Sequence, residues 1–207
     1  MKTLIIASNN AHKIEEIKDI LKEFPLRIIS QSEAGIHMDV VEDKDTFLGN
    51  AHKKAFELYE ALSEEDKAEY FVLSDDSGLA VDHLGGAPGV YSARYAGEGH
   101  NDAENNEKLL RELSSVKEED RTAQFVSAIV FLGNEVDIRV EGYAKGRILE
   151  KLTGSGGFGY DPLFYSFDLH KTFGEASSEE KNAVSHRANA LMKLKEELRK
   201  IEDRFGV

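Results

Sequence analysis

Several short stretches of the chain combine residue types that could handle a phosphorylated ligand. In Ser8-Asn9-Asn10-Ala11-His12-Lys13, a short apolar run delivers the chain to the start of a helical pattern. The first N–H groups of a helix point outward unpaired, and the helix dipole favours an anion beside them. Lys13 adds a full positive charge, and Ser8, Asn9 and Asn10 add neutral donors. That combination suits a phosphate, and three phosphates better still. The same residues also make a plain N-cap with an exposed lysine. A Walker A pattern, G-x-x-x-x-G-K-[ST], is absent.

The second stretch is Asp75-Asp76-Ser77-Gly78, which follows the strand pattern Tyr70–Leu73. Adjacent carboxylates on a strand point to opposite faces, so one can reach a ligand while the other braces a neighbour. A carboxylate at the C-terminal end of a strand lies where α/β sheets usually bind ligands. One or two carboxylates plus substrate phosphates make an ordinary Mg²⁺ site. Glu42, in Val40-Val41-Glu42-Asp43, could bring a further metal carboxylate from an acidic loop. Asn50 and Lys54 are four apart and share a helix face. That face could aim a cation at phosphates. An Asx-turn at Asp75–Ser77, and solvated positions for Glu42 and Lys54, are the alternatives.

Gly154-Ser155-Gly156-Gly157-Phe158-Gly159-Tyr160-Asp161-Pro162 contains a formal G-x-G-x-x-G. A dinucleotide fold is excluded, because Pro162 follows and no helix opens there. Such glycine density lets main chain approach a ligand closely. Phe158 and Tyr160 offer faces for a flat ring to stack on. Asp161 could fix the loop or accept from a ligand N–H. Further on come Lys181 and Ser185-His186-Arg187, which open the last helical pattern. Ser185 is a natural N-cap. His186 and Arg187 are cationic or polar where helix stability disfavours positive charge. That mild cost points to an anionic or carbonyl-bearing ligand, although an ordinary cap with surface charge fits the same residues.

The elements that must position these groups alternate in type. Thr3–Ala7 reads as a buried strand, then Ile14, Ile17, Ile20, Leu21 and Phe24 mark one helix face that Pro25 ends. Leu26–Ser30 is a second strand, so the chain opens strand–helix–strand, as α/β folds do. A helix is expected over about 46–62, a solvated charged loop at Ser63–Glu69, and a helix over 102–114. Thr122–Leu132 and Glu135–Ala144 read as long strands with a hairpin at Gly133-Asn134. The last helix is expected over about 185–202, with Ala188, Leu191, Leu194, Leu198 and Ile201 inward. No internal repeat or linker separates independent domains, so residues 1–207 read as one mixed α/β domain.

Composition narrows the function classes. Hydrophobic residues make up 41% and charged residues 31%, ordinary for a soluble globular protein. Lys+Arg number 26 against 39 Asp+Glu, a net charge of −13. A nucleic-acid grip needs a basic face, so no nucleic-acid or anionic membrane partner is expected. The longest apolar run, Ala128–Leu132, falls far short of the roughly 20 residues a membrane helix needs. No signal peptide is expected, since polar Ser8-Asn9-Asn10 cuts short the first apolar run. The chain has no cysteine, which excludes disulfides, thiolate metal sites and cysteine nucleophiles and suits a reducing, cytoplasmic compartment.

Taken in order, these blocks resemble the inosine/xanthosine triphosphate pyrophosphatase family, the non-canonical purine NTP pyrophosphatases. The resemblance runs through Ser8–Lys13, Asp75-Asp76-Ser77-Gly78-Leu79, Gly85-Gly86-Ala87-Pro88-Gly89-Val90-Tyr91-Ser92-Ala93-Arg94, Gly156–Phe164, Lys181 and Ser185-His186-Arg187-Ala188. It covers almost the whole chain and departs at Gly49, where an acid is expected in some relatives, and at the charged, insertion-like stretch Ser63–Glu69. It implies an α/β fold with an elongated central mixed sheet flanked by helices, in two lobes with a substrate cleft between them. It also implies a homodimer and Mg²⁺-dependent cleavage of ITP, dITP and XTP to the monophosphate and pyrophosphate. By motif position, Ser8, Asn9, Asn10, Ala11, His12 and Lys13 would hold phosphates, and Asp76 would be general base and metal ligand. Ser77, Phe158, Gly159, Tyr160, Asp161, Lys181, His186 and Arg187 would contact substrate, with Glu42 on the metal and Lys54 on the phosphates. A pyrophosphatase preferring modified pyrimidines, or a nucleotide-binding module without catalysis, are the competing readings.

Overall fold

The computed structural model describes residues 1–99 and 101–205. In chain order the elements are β1 (Thr3–Ile6), α1 (Ala11–Leu21), β2 (Arg27–Ser30), α2 (Phe47–Glu60), α3 (Glu64–Glu69) and β3 (Tyr70–Val81). They continue with α4 (Asp102–Glu112), β4 (Thr122–Gly133), β5 (Val136–Ile148), β6 (Phe164–Ser166), β7 (Lys171–Thr172), α5 (Ser178–Val184) and α6 (His186–Arg199). The strands form a mixed sheet in the order β2-β1-β3-β4-β5-β6-β7. β1 pairs parallel with β2 and β3, whereas β5–β6 and β6–β7 are antiparallel. The expected α/β class with a mixed sheet and flanking helices is what the chain adopts.

The residues group into two compact units. The first comprises Met1–Asp76, Ala128–Gly142 and the chain from Ala190 onward. Its strand β1 is buried throughout, and apolar from Leu4 to Ile6, because both of its faces are covered. Leu4 and Ile6 join Ile17, Leu21, Leu191 and Leu194, while Ile5 joins Ala51, Ala55 and Leu58 on the other face. Helix α1 starts at Asn10, whose side chain accepts from Lys13 N–H, and α2 starts at Thr46, which accepts from Gly49 N–H. The second unit comprises Ser77–Ser127 and Tyr143–Asn189. Its core gathers Leu79, Val81, Leu109, Leu113, Phe125, Phe164 and Phe173.

Several expectations need correction. β3 does not stop at Leu73: it runs on to Val81, so Asp75 and Asp76 lie within a strand rather than beyond its end. The polar run is buried almost completely, with Ser74 donating to the Ala51 carbonyl. What ends at this level is β1, whose last pair is Ile6 with Leu73. Ser63–Glu69 is a helical turn, α3, not a loop: Ser63 caps it by accepting from Asp66 N–H, and its first turn is acidic. α1 ends at Leu21, ahead of Pro25; Phe24, biased out of the helix by the following proline, still packs in the core. Helix α5 was not expected, although Ser177 and Glu180 form a full capping box before it.

Candidate functional site

The first unit brings two lysines to a nest of acids. Asp75 and Asp76 are consecutive on β3, and each meets its own lysine. Lys13, from the first turn of α1, reaches the Asp75 carboxylate at 2.8 Å. Lys54, from α2, lies 3.7 Å from Asp76 and 2.6 Å from Glu42, and also donates to the Asp75 carbonyl at 3.0 Å. Helical spacing makes this possible: Asn50 and Lys54 share the inner face of α2. Asn50 is fully buried and accepts from Lys44 N–H, which secures the end of the acidic loop that carries Glu42. At Gly49 an added Cβ would lie 2.9 Å from the Lys44 Cβ and the Thr46 hydroxyl, so the tight start of α2 leaves little room for an acid there.

Burial and charge pull against each other in this nest. Burial raises the Asp76 carboxyl above the usual carboxylate range, and Glu42 raises it further, against the lowering effect of Lys54, Lys13 and Asn50. Burial alone would lower the Lys54 ammonium, but Asp76, Glu42 and Asp75 outweigh it and the net direction is upward. The lysine therefore stays charged and one acid is in excess: Asp75, Asp76 and Glu42 against Lys13 and Lys54. Hard carboxylate oxygens with one negative charge to spare fit a divalent cation of the Mg²⁺ kind. Among the described residues no three His, Asp or Glu side chains form a cage for an ion by themselves. Asp76 and Glu42 are the groups that would hold one.

The remaining residues of the Ser8–Lys13 stretch form a cap. Ser8 Oγ accepts from Asn10 N–H at 3.1 Å and Asn10 Oδ1 accepts from Lys13 N–H at 3.2 Å. Asn9 Oδ1 accepts from the Gln31 amide at 2.9 Å. Ala11 and His12 are exposed on the first turn of α1.

In the second unit a glycine-rich loop is fixed around a buried ion pair. Asp161 Oδ2 accepts from Phe158 N–H at 2.9 Å and pairs with Lys181 at 2.7 Å, both partners being buried. The Lys181 ammonium also lies 4.6 Å from the centre of the Phe158 ring, a cation–π contact. Gly157, at φ +73°, is required: an added Cβ would run into the Asp161 carboxylate. Ser185 caps α6 by accepting from Ala188 N–H at 3.1 Å. That cap presents Arg187, 1% exposed, whose guanidinium donates to Ser77 Oγ at 3.1 Å. Buried His186 stacks on Phe125, with ring centres 4.8 Å apart and planes within 14°.

Two expectations change here. Tyr160 is not an open stacking face: it is 4% exposed, lies in the core, and donates its hydroxyl to the Ser92 carbonyl at 2.8 Å. Phe158, only partly buried, retains ring surface. Main-chain N–H groups near Asp161 are also largely committed. Phe158 N–H goes to Asp161 Oδ2, Gly159 N–H to Asp102, and Asp161 N–H to the Phe158 carbonyl. His186 and Arg187 add two further buried donor side chains to this unit. Sequence reading missed Asp102 and Asn106 of α4, which bind both main-chain polar groups of Gly159. A polar residue pair at i, i+4 was the signal, but nothing in it names the loop it meets.

Comparison with known proteins identifies the family. The sequence model of the Ham1 family matches residues 4–197. The dITP/XTP pyrophosphatase of Clostridium perfringens (strain 13) is 54% identical over 202 residues, covering 97% of this chain and 99% of that protein. The dITP/XTP pyrophosphatase of Bacillus subtilis (strain 168) is 45% identical over 195 residues, covering 94% and 96%. The solved Staphylococcus aureus Ham1 protein superposes with a TM-score of 0.85 at 41% identity, covering 97% of this chain and all of that one. With a family model over residues 4–197 and near-complete coverage by relatives in sequence and fold, the chain belongs to the Ham1 family.

Proposed function

We propose that this protein hydrolyses non-canonical purine nucleoside triphosphates (ITP, dITP and XTP) to the monophosphate and pyrophosphate, and so clears deaminated purines from the nucleotide pool. The full-length similarity to dITP/XTP pyrophosphatases supports the reaction class. The observation that carries the chemistry is the buried Asp76 beside Lys54 and Glu42. Bound Mg²⁺, held by Asp76 and Glu42, would supply charge neutralisation at the phosphates. Lys13 and Lys54 offset the triphosphate's charge, more so as it builds on the leaving group. A water oxygen bonds to the α-phosphorus in line, and the bond to the α–β bridging oxygen breaks with its electron pair leaving on pyrophosphate. Asp76 takes the water's proton.

Base selection falls to the second unit's residues. The Phe158 ring supplies a face for stacking, and His186 and Arg187 supply donors for the 6-oxo group of an oxo-purine. Adenine carries an amino donor at that position, which leaves donor facing donor. A site built on such a hydrogen bond can reject the wrong base by about 10⁴–10⁵. On this reading the protein acts as a homodimer in the cytoplasm. Screening over about 8 Å at physiological salt keeps the net charge of −13 from deciding the affinity for a polyanion. The test is pyrophosphate release from ITP, XTP, dUTP, modified pyrimidine triphosphates and ATP, with Mg²⁺ and with EDTA. Turnover of the oxo-purines, abolished by EDTA, is expected; equal turnover of ATP and ITP refutes the base assignment.

A further inference from the structure

Gly159 is gripped at both of its main-chain polar groups by one helix. Its N–H donates to Asp102 Oδ2 at 2.8 Å, and its carbonyl accepts from Asn106 Nδ2 at 2.9 Å. Asp102 and Asn106 are four apart on α4 and so project from the same face. The helix itself is a fixed reference. Leu109 and Leu113 are fully buried. Asn105 accepts from Ala96 N–H at 2.7 Å and donates to the Ala93 carbonyl at 3.0 Å. At the other end, the buried Arg121 guanidinium donates to the Leu113 and Val116 carbonyls at 2.8 and 3.0 Å.

Gly159 is the hinge of the loop, at φ +59° between half-buried Phe158 and buried Tyr160. Tyr160 is tied to Ser92, and Ser92 Oγ accepts from Leu79 N–H on β3 at 2.9 Å. With Tyr160 fixed below and Gly159 fixed from the side, the direction of the Phe158 ring is set. The Asp161–Lys181 pair gives the loop its internal shape, but α4 fixes where that shape stands against the rest of the unit.

We propose that Asp102 and Asn106 are positioning residues for base discrimination: by holding Gly159 they set the Phe158 ring so that a stacked base presents its 6-oxo edge to His186 and Arg187. This rests on the reading of Phe158 as the base platform. The experiment measures kcat and KM for ITP and ATP in Asp102→Ala and Asp102→Asn, with a thermal melt of each. Asp102 is exposed, so both variants should fold. Asn retains an acceptor oxygen for Gly159 N–H but loses the negative charge that favours the start of α4. Asp102→Ala should lower the ITP-to-ATP ratio of kcat/KM about tenfold, mainly through KM for ITP, the size expected for the loss of one hydrogen bond. Asp102→Asn should keep the wild-type ratio. Adding Asn106→Ala to Asp102→Ala should deepen the loss to about a hundredfold.

An unchanged ratio in Asp102→Ala overturns the proposal. So does an equal fall for both substrates, or an Asn variant as impaired as the Ala variant, since either marks a merely stabilising role. A wild-type protein with no preference for ITP overturns the Phe158 reading and this proposal together, and is seen before any variant is made.

Discussion

The Asp75–Asp76 nest and the Asp161–Lys181 loop both bury ionised groups, but they are built differently. In the nest, most of the charged side chains stand on regular elements, on α1, α2 and β3, and acids outnumber bases. In the loop, one acid faces Lys181, with Arg187 on the neighbouring helix, and the geometry comes from glycines and main-chain hydrogen bonds. Here the acid and its lysine are matched one to one. The contrast separates two kinds of residue: those whose loss should cost chemistry and spare the fold, and those whose loss should cost the fold as well.

Asp76→Asn tests the first kind and carries the largest expected effect. General-base help is worth about 10²–10⁴-fold, so kcat should fall at least that far. Because burial raises the Asp76 carboxyl, its ionised form opposes folding at neutral pH, and the neutral amide should leave the melting temperature unchanged or higher. A variant with near-normal kcat, or a marked drop in melting temperature, removes the distinction.

Asp161→Ala tests the second kind. It strips the buried Lys181 ammonium of its carboxylate and Phe158 N–H of its acceptor. Removing one partner of a buried pair costs roughly 3–5 kcal/mol, to be read by urea denaturation. A loss within experimental error would mean that the loop is not organised around this pair.

Glu33→Gln belongs to neither cluster and should have the smallest effect, giving the scale for an exposed ion pair. The Lys18 ammonium, followed by the Ser30 N–H and hydroxyl, holds the Glu33 carboxyl down at about 2. A depressed carboxyl contributes stability above its unfolded value of 4.5, lost as pH falls from there through about 2. The substitution should therefore lower the melting temperature slightly at pH 7 and leave it unaltered near pH 2. An unchanged melting temperature at both pH values would show that solvent screening cancels the pair.

The sequence was most legible where apolar spacing and caps agree. Thr3–Ala7, the inner face of α1 and the start of α6 at Ser185 all follow from local chemistry that the fold keeps. It misled where polar residues are buried. Ser74, Asp75 and Asp76 read as lying past the end of a strand because polarity ordinarily signals solvent, yet here lysines and a main-chain carbonyl satisfy them inside it. Tyr160 misled in the opposite sense, since an aromatic in a glycine-rich stretch suggests a ligand face and this one fills the core. The helical turn of α3 was marked by Ser63 with Asp66, but three consecutive acids outweighed it in the reading. Asp102 and Asn106 were out of reach, because their partner lies more than fifty residues along the chain and no local pattern encodes a pairing that tertiary packing creates.

The continuous run of β3 through Asp76 has a practical consequence for anyone wishing to redirect the protein toward another nucleobase. A carboxylate embedded in a pleated ladder has no slack: a one-residue insertion at 74–78 would shift the alternation and turn side chains to the opposite face. Diversity libraries should instead leave that ladder and Gly157 intact and vary 158 together with 102 and 106, the residues proposed to set the base platform.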